Sequence, residues 1–422
     1  MAVEQRRVAV VGSGVAGLTA AYVLRRAYEV TLYEADDRLG GHAHTHDLAG
    51  RDGRPVRVDS GFIVHNGRTY PWLLRLFREL GVATQDAEMS MSVRCDGCGL
   101  QYAGARGATG LFARPSNALS GRYLRMLTEI PAFHRAARTT LAADPGDALT
   151  LRRFLTEGGF SDYFVTHFVT PLVSAVWSCA AETAMRYPAA YLFRFLDHHG
   201  LLSVTGSPRW KTVTGGSAEY VDRVVKQLTS VRAGTPVAAV RRFADRAEVV
   251  TRDATTEEYD AVVLAVHPDQ ALRLLADPTE DERRVLGAFP YSRNPTVLHT
   301  DTTVLPPARA ARGSWNLRMP ACHAPADKVQ VNYHMNRLQR LDAAEDFIVS
   351  LNADGLVEES KVLARMVYEH PVYTPESVAA QQRLPDLNTA VTAYAGAYHG
   401  WGFHEDGCRS GVEAAAALGV RW

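Results

Sequence analysis

The chain has 422 residues, 46% of them apolar and 22% charged, with 46 basic and 46 acidic side chains in balance. That balance removes any electrostatic reason to bind nucleic acid, and the apolar fraction is that of an ordinary globular protein. The five cysteines, an odd and sparse set, suggest a reducing cytoplasm, and neither a secretory signal nor an apolar run of about 20 residues is apparent.

Residues 7–18 read RVAVVGSGVAGL. A short β-branched strand runs into Gly12, Gly14 and Gly17, and helical spacing follows. Strand, glycine turn and helix are the context a dinucleotide fingerprint needs. Gly12 serves the tight turn, Gly14 the approach of a pyrophosphate to the backbone, and Gly17 the packing of helix on strand. Ser13 and Ala16 complete the turn. A second strand, EVTLYE, ends at Glu34, where a carboxylate can accept ribose hydroxyls, with Ala35 beside it.

The next segment, ADDRLGGHAHT, is followed by VDSGFIVHN at 58–66. Here the chain resembles the flavin-containing amine oxidase superfamily. Arg38, Gly40, Gly41 and Thr45 match its first element, with His42 where the family usually has Arg. Asp59 and Gly61 match its next element and bring Ser60 and Phe62 with them. The resemblance implies FAD rather than NAD.

Further on, EMSMSVRCDGCGLQYAG (88–104) reads as a hairpin about Asp-Gly. Cys95 and Cys98 flank that turn. With no second Cys pair and no helix start nearby, they read as turn residues, and no metal-binding set is expected. Residues 115–205 carry helical periods rich in large apolar and aromatic residues. Such residues more often build core than line a pocket; the resemblance makes the segment a helical insertion walling a cavity for a long hydrophobic substrate. His198 and His199 precede a glycine and read as a helix C-terminus.

Gly215 and Gly216 resemble the superfamily's internal Gly-Gly element, after which Val237 occupies the position contacting adenine. The apolar run AVVLAV, including Ala265, reads as a buried parallel strand. Segments within 285–375 alternate strands and turns. The expected fold is α/β: a discontinuous, Rossmann-like FAD-binding domain (1–85, 206–285 and 385–422) with an α+β substrate-binding domain (86–205 and 286–384) that includes the helical insertion at 115–205.

Near the end, AYAGAYHGWGFHEDGCRSG matches the superfamily's closing strand, loop and helix. Gly396 is the matching glycine, and the acid that usually follows is replaced by Ala397 and Tyr398, so either Glu405 or Asp406 substitutes or the contact is lost. The helix start would face the flavin. Phe403 falls where amine oxidases place a cage aromatic, and Phe403 and His404 join the expected cofactor contacts. The family's usual lysine has no counterpart in NPTVLHTD, which offers His299. The tail is most similar to a bacterial subgroup of FAD/NAD-binding oxidoreductases associated with fatty-acid modification.

The resemblance therefore implies a flavoenzyme that abstracts hydride from a fatty-acyl or similar lipid chain, by desaturation or double-bond isomerisation, and the cysteine usage places it in the cytoplasm as an expectation. His399, His404 and Glu405 are the candidate proton acceptors, and Phe403 the aromatic beside them. Transient contact with a membrane surface is compatible with such a substrate. Oxidation of an amine or a porphyrin-like ring is a second expectation, and a non-catalytic lipid-binding protein of the same fold a third.

Overall fold

The structure, a computed structural model, describes residues 6–143, 149–177, 180–203, 206–322 and 330–422. Cys179 and Lys328 lie outside them. Five parallel strands form the first sheet, in the order Ser230–Arg232, Glu29–Tyr33, Arg7–Val11, Ala261–Leu264 and Thr392–Tyr394. The three central strands are almost wholly buried, which is why they read as continuous apolar runs. The first helix, Val15–Leu24, is buried on every side. It packs between this sheet and the C-terminal helix, His404–Ala417, so the two ends of the chain meet across one core.

A seven-stranded mixed sheet forms the second layer system. Its order is Val362–Pro371, Tyr291–His299, Ile348–Leu351, Gln330–His334, Trp315–Met319, Met91–Cys95 and Gln101–Ala103. The last two strands make the expected hairpin about Asp96 and Gly97. His299 is fully buried in this sheet, with Nε2 2.8 Å from the Ser350 hydroxyl and Nδ1 accepting from the Asp301 N–H. It is a satisfied core residue.

Between Gly121 and His198 the described residues are mostly helical, in Gly121–Ala143, Leu151–Glu157, Asp162–Phe164, Thr170–Trp177, Ala181–Arg186 and Ala189–His198, and their aromatic residues pack against one another. Phe133 sits 5.7–5.9 Å, centroid to centroid, from Phe154, Phe160, Phe164 and Phe193. These rings form a solid core, so most of them are unavailable to line a tunnel. The expectation of an aromatic-walled cavity holds only for the end of this segment. There, helix Ala189–His198 ends at His199, whose N–H bonds the Phe195 carbonyl.

Three chain segments are tied together at Asp59. Its buried carboxylate accepts from the Thr45 hydroxyl (2.6 Å), the Ser217 N–H and hydroxyl (2.9 and 2.8 Å), and the Gln339 amide (2.9 Å). Gln339 also accepts from the Asp59 N–H at 2.8 Å. Removing the acceptor strands several buried donors. Asp59→Ala should lower unfolding free energy by about 3 kcal/mol, measured by chemical denaturation, and Asp59→Asn, which keeps one oxygen, by less.

Candidate functional site

The glycine turn is a packed junction with one open side. Gly12 has φ +103°, and its N–H bonds the Tyr33 carbonyl at 2.8 Å. A Cβ on Gly17 would collide with the Gly12 carbonyl oxygen and stand 3.1 Å from the Ala265 methyl. Ala16 is buried behind it. Gly14 differs: no atom lies within 4 Å of where its Cβ would stand.

Ser13 links this turn to the next two elements. Its N–H and hydroxyl donate to Glu34 at 2.9 and 2.5 Å, and its hydroxyl accepts from the Gly40 N–H at 3.0 Å. Glu34 stays half-buried, with Ala35 exposed beside it. The strand beginning at Val237 passes close by, since the Thr235 N–H bonds the Glu34 carbonyl at 2.8 Å. Arg38 donates to the carbonyls of Leu39, Gly41 and Ala43 at 3.1, 2.8 and 3.1 Å. It shapes the Gly40–Gly41 loop, and Gly41 in turn lies against Gly14.

His42 follows that loop and packs tightly on Gly61, where a Cβ would strike the His42 carbonyl. Its ring lies 4.9 Å from Tyr368 and 5.5 Å from His370. Its Nε2 is buried without a partner, and burial, with His370 nearby, pushes its pKa well below the usual 6.5. A buried ring nitrogen left open in this way awaits a group to complete it. Ser60 holds Tyr368 by hydroxyl contact at 2.6 Å and His46 at 2.8 Å. Tyr368 and His370 stand two apart on one strand, hence on one face; that period is the signal that could have marked them in the sequence.

The closing stretch meets these elements. The Gly396 N–H donates to the Ser410 hydroxyl at 2.9 Å. Phe403 caps the C-terminal helix, and its N–H bonds the Asp406 carboxylate at 3.0 Å. His404 stacks on Phe62 at 3.7 Å and 11° and contacts the Tyr220 hydroxyl through Nε2 at 3.0 Å.

The candidate proton acceptors need correcting. Burial pushes both His399 and His404 down to about 3, so neither titrates near neutrality and each is a weak base. Glu405 moves the other way, raised by burial to about 7. Its two oxygens accept from the N–H groups of Trp72 and Leu73 at 3.0 Å each, at the start of helix Pro71–Leu80. Asp406, raised to about 6 by burial, is committed to Phe403 and to Arg409 at 3.4 Å. Asp406 is thus held by its own helix cap and Arg409, whereas Glu405, anchored by one N–H on each oxygen, keeps further lone pairs.

A cavity of about 520 Å³ opens at this helix start. Tyr70, Trp72, Tyr191, Trp401 and Phe403 form its aromatic wall, and Arg68, Arg194, His198, Glu405 and Arg409 bring charge or polarity to it. The composition of residues 115–205, rich in large apolar side chains, did not foretell these charged groups. Elsewhere, Cys95 and Cys98 are not alone in their turn: His167 and Cys322 stand beside them, with ligand atoms all within 4.8 Å of one another. The partners are 69 and 227 residues away in sequence, beyond the reach of any spacing argument.

Residues 15–302 match the family described as flavin containing amine oxidoreductase. A Mycobacterium tuberculosis protein named flavin-containing monoamine oxidase AofH is 29% identical over 64% of this chain and 59% of its own length. A coproporphyrinogen III oxidase of Mycobacterium leprae is 26% identical over 64% of this chain and 61% of its own. The match thus spans about three-fifths of these relatives. Among solved structures, a CLA-producing fatty acid isomerase from P. acnes superposes over 97% of this chain and 98% of its own, with TM-score 0.69 and 16% identity.

The residues present suit FAD. Gly14 leaves room at the helix start, the half-buried Glu34 carboxylate bonded to Ser13 lies at the end of the neighbouring strand, and the buried His42 Nε2 has no partner, the features a dinucleotide site uses. Gly14→Ala should leave the chain folded, with melting temperature unchanged, yet reduce flavin retained per chain several-fold. Gly17→Ala, which collides with main chain, should lower both. The ratio of flavin to protein absorbance and a thermal melt separate the two.

Proposed function

We propose a function from the premise that the chain belongs to the flavin-containing amine oxidoreductase family: it is an FAD-dependent oxidoreductase that takes hydride from a hydrophobic, fatty-acyl substrate. The observation that carries the substrate class is the cavity, aromatic along its wall and supplied with guanidinium groups. An acyl chain buries methylenes on Tyr70, Trp72, Tyr191, Trp401 and Phe403, each worth about 0.8 kcal/mol. Arg68 is exposed and has no ion-pair partner among the described residues, so it is the group we assign to a carboxylate head. An amine would bring its cation towards that arginine instead.

Bound FAD supplies a two-electron hydride acceptor. The chain's part is to hold the acyl carbon against it, exclude water with the aromatic wall, and receive the proton that desaturation releases from the neighbouring carbon. Glu405 is the proton acceptor of this reading, because it lines the cavity and its pKa of about 7 lies near the working pH. Return of hydride to another carbon of the same chain would give an isomerised double bond. His399 and His404 serve as neutral packing groups of the flavin seat. Exposed Phe112, Leu119 and Leu124 on the helical segment suit transient contact with a lipid surface.

Two outcomes can be read from one anaerobic titration of the yellow holoprotein with unsaturated and methyl-branched fatty acids. Bleaching of the flavin, or recovery of acids with moved double bonds, supports the reading. Bleaching by amines or porphyrinogens alone would replace it with the activities named for the relatives. Proton acceptance requires the carboxylate form, so the rate should rise with pH and reach half its plateau near 7. Glu405→Gln should remove that limb and slow turnover by about 100-fold or more. Arg68→Gln should raise KM for free acids about tenfold and leave kcat nearly unchanged, as expected for loss of a ground-state contact.

A further inference from the structure

Three thiols and an imidazole converge on the far side of the helical segment. Cys95 and Cys98 come from the hairpin, His167 from the turn Val165–Val169, and Cys322 from the loop after strand Trp315–Met319. The Cys95 and Cys322 sulfurs are 3.6 Å apart, as are the Cys98 sulfur and His167 Nε2. A tetrahedral zinc with bonds of about 2.3 Å to sulfur and about 2.0 Å to nitrogen has edges of about 3.8 and about 3.6 Å. These two separations lie within about 0.2 Å of such edges, and all four ligand atoms lie within 4.8 Å of one another, close enough to share one ion.

The surroundings orient each ligand. His167 Nδ1 lies 3.1 Å from the Tyr163 carbonyl. A carbonyl only accepts, so Nδ1 carries the proton and Nε2 turns its lone pair toward the sulfurs. This is the outer-shell partner that metal-bound histidines use. The Tyr163 ring stacks on His167 at 4.2 Å. Residues 165–169 form a π-helical turn inside an otherwise α-helical stretch, a costly irregularity found mostly at functional sites. Gly97 lets the hairpin approach the Cys322 loop, for a Cβ there would stand 3.0 Å from the Ala321 Cα.

We propose that Cys95, Cys98, His167 and Cys322 form a structural zinc site that clamps the hairpin, the helical segment and the Cys322 loop together. Four protein ligands complete the tetrahedron and leave no open position for catalysis. None of the four lines the cavity, so the site is independent of the substrate reading. Ligand softness selects zinc over magnesium, calcium or manganese.

The test uses the holoprotein, purified under reducing conditions without chelator or added metal. Elemental analysis should find about one zinc per chain. His167→Ala and Cys98→Ser should each cut that content at least fivefold while the flavin content stays the same. Replacement of zinc by cobalt should produce the strong visible absorption of a tetrahedral, thiolate-ligated ion. Wild-type protein with no stoichiometric zinc, and no such spectrum after cobalt is added, overturns the proposal. So does a Cys95–Cys322 disulfide as the main species on peptide mapping. Should a variant fail to fold, the wild-type metal content and the cobalt spectrum decide alone.

Discussion

A buried carboxylate with four donors holds this molecule's architecture in register. Asp59 joins Thr45 beside the glycine loop, Ser217 at the return of the chain, and Gln339 from the second sheet. An ionised group in such a setting is tolerable only when every lone pair is met, and here the donors come from stretches distant in sequence. The chain leaves the first sheet and comes back to it. The Asp59 contacts make those departures converge on one place, next to the loop that carries His42. The D-x-G element therefore acts through its glycine, which lets His42 close in, and through Asp59 as a structural tie.

Around that tie, the seat is assembled from short contacts between elements that were each recognisable alone. Ser13 reads both Glu34 and Gly40; Gly41 touches Gly14; Phe62 stacks on His404. The aromatic cavity begins where the C-terminal helix starts, and Phe403 and Glu405 line it. Two carboxylates stand together at that helix start, and each is given a partner. Here Glu405 is turned onto the start of another helix, and Asp406 onto its own cap and Arg409.

Local periodicity and glycine placement made the first sheet, the hairpin and the closing helix legible in the sequence, because those features are written within a few residues. The strand Arg7–Val11 with its turn, and the run AVVLAV that includes Ala265, needed no partner to be recognised. What escaped depends on burial and on distant neighbours. Histidines in AYHGWGFHEDG look like neutral-pH bases until the fold buries them. Glu405 looks like a ligand for the cofactor until helix Pro71–Leu80 presents its N–H groups. Cys95 and Cys98 look like turn residues until His167 and Cys322 arrive from other elements. The substrate wall was visible only as composition, and the structure spends most of those rings on core.

The pairing of the first and last helices has a consequence for how the protein is made. Gly411 lies so close to Ala16 that a side chain there would strike its carbonyl, Tyr28 bonds the Leu418 carbonyl at 3.1 Å, and Trp422 packs on Tyr22. Contacts of such sequence separation form late, after the intervening loop entropy has been overcome. The glycine turn finds its first partners nearby, at Tyr33, Glu34 and Gly40, but the far face of the first helix stays uncovered until the C-terminal helix packs on it. A chain truncated before residue 404 would keep the whole glycine turn and lose that cover.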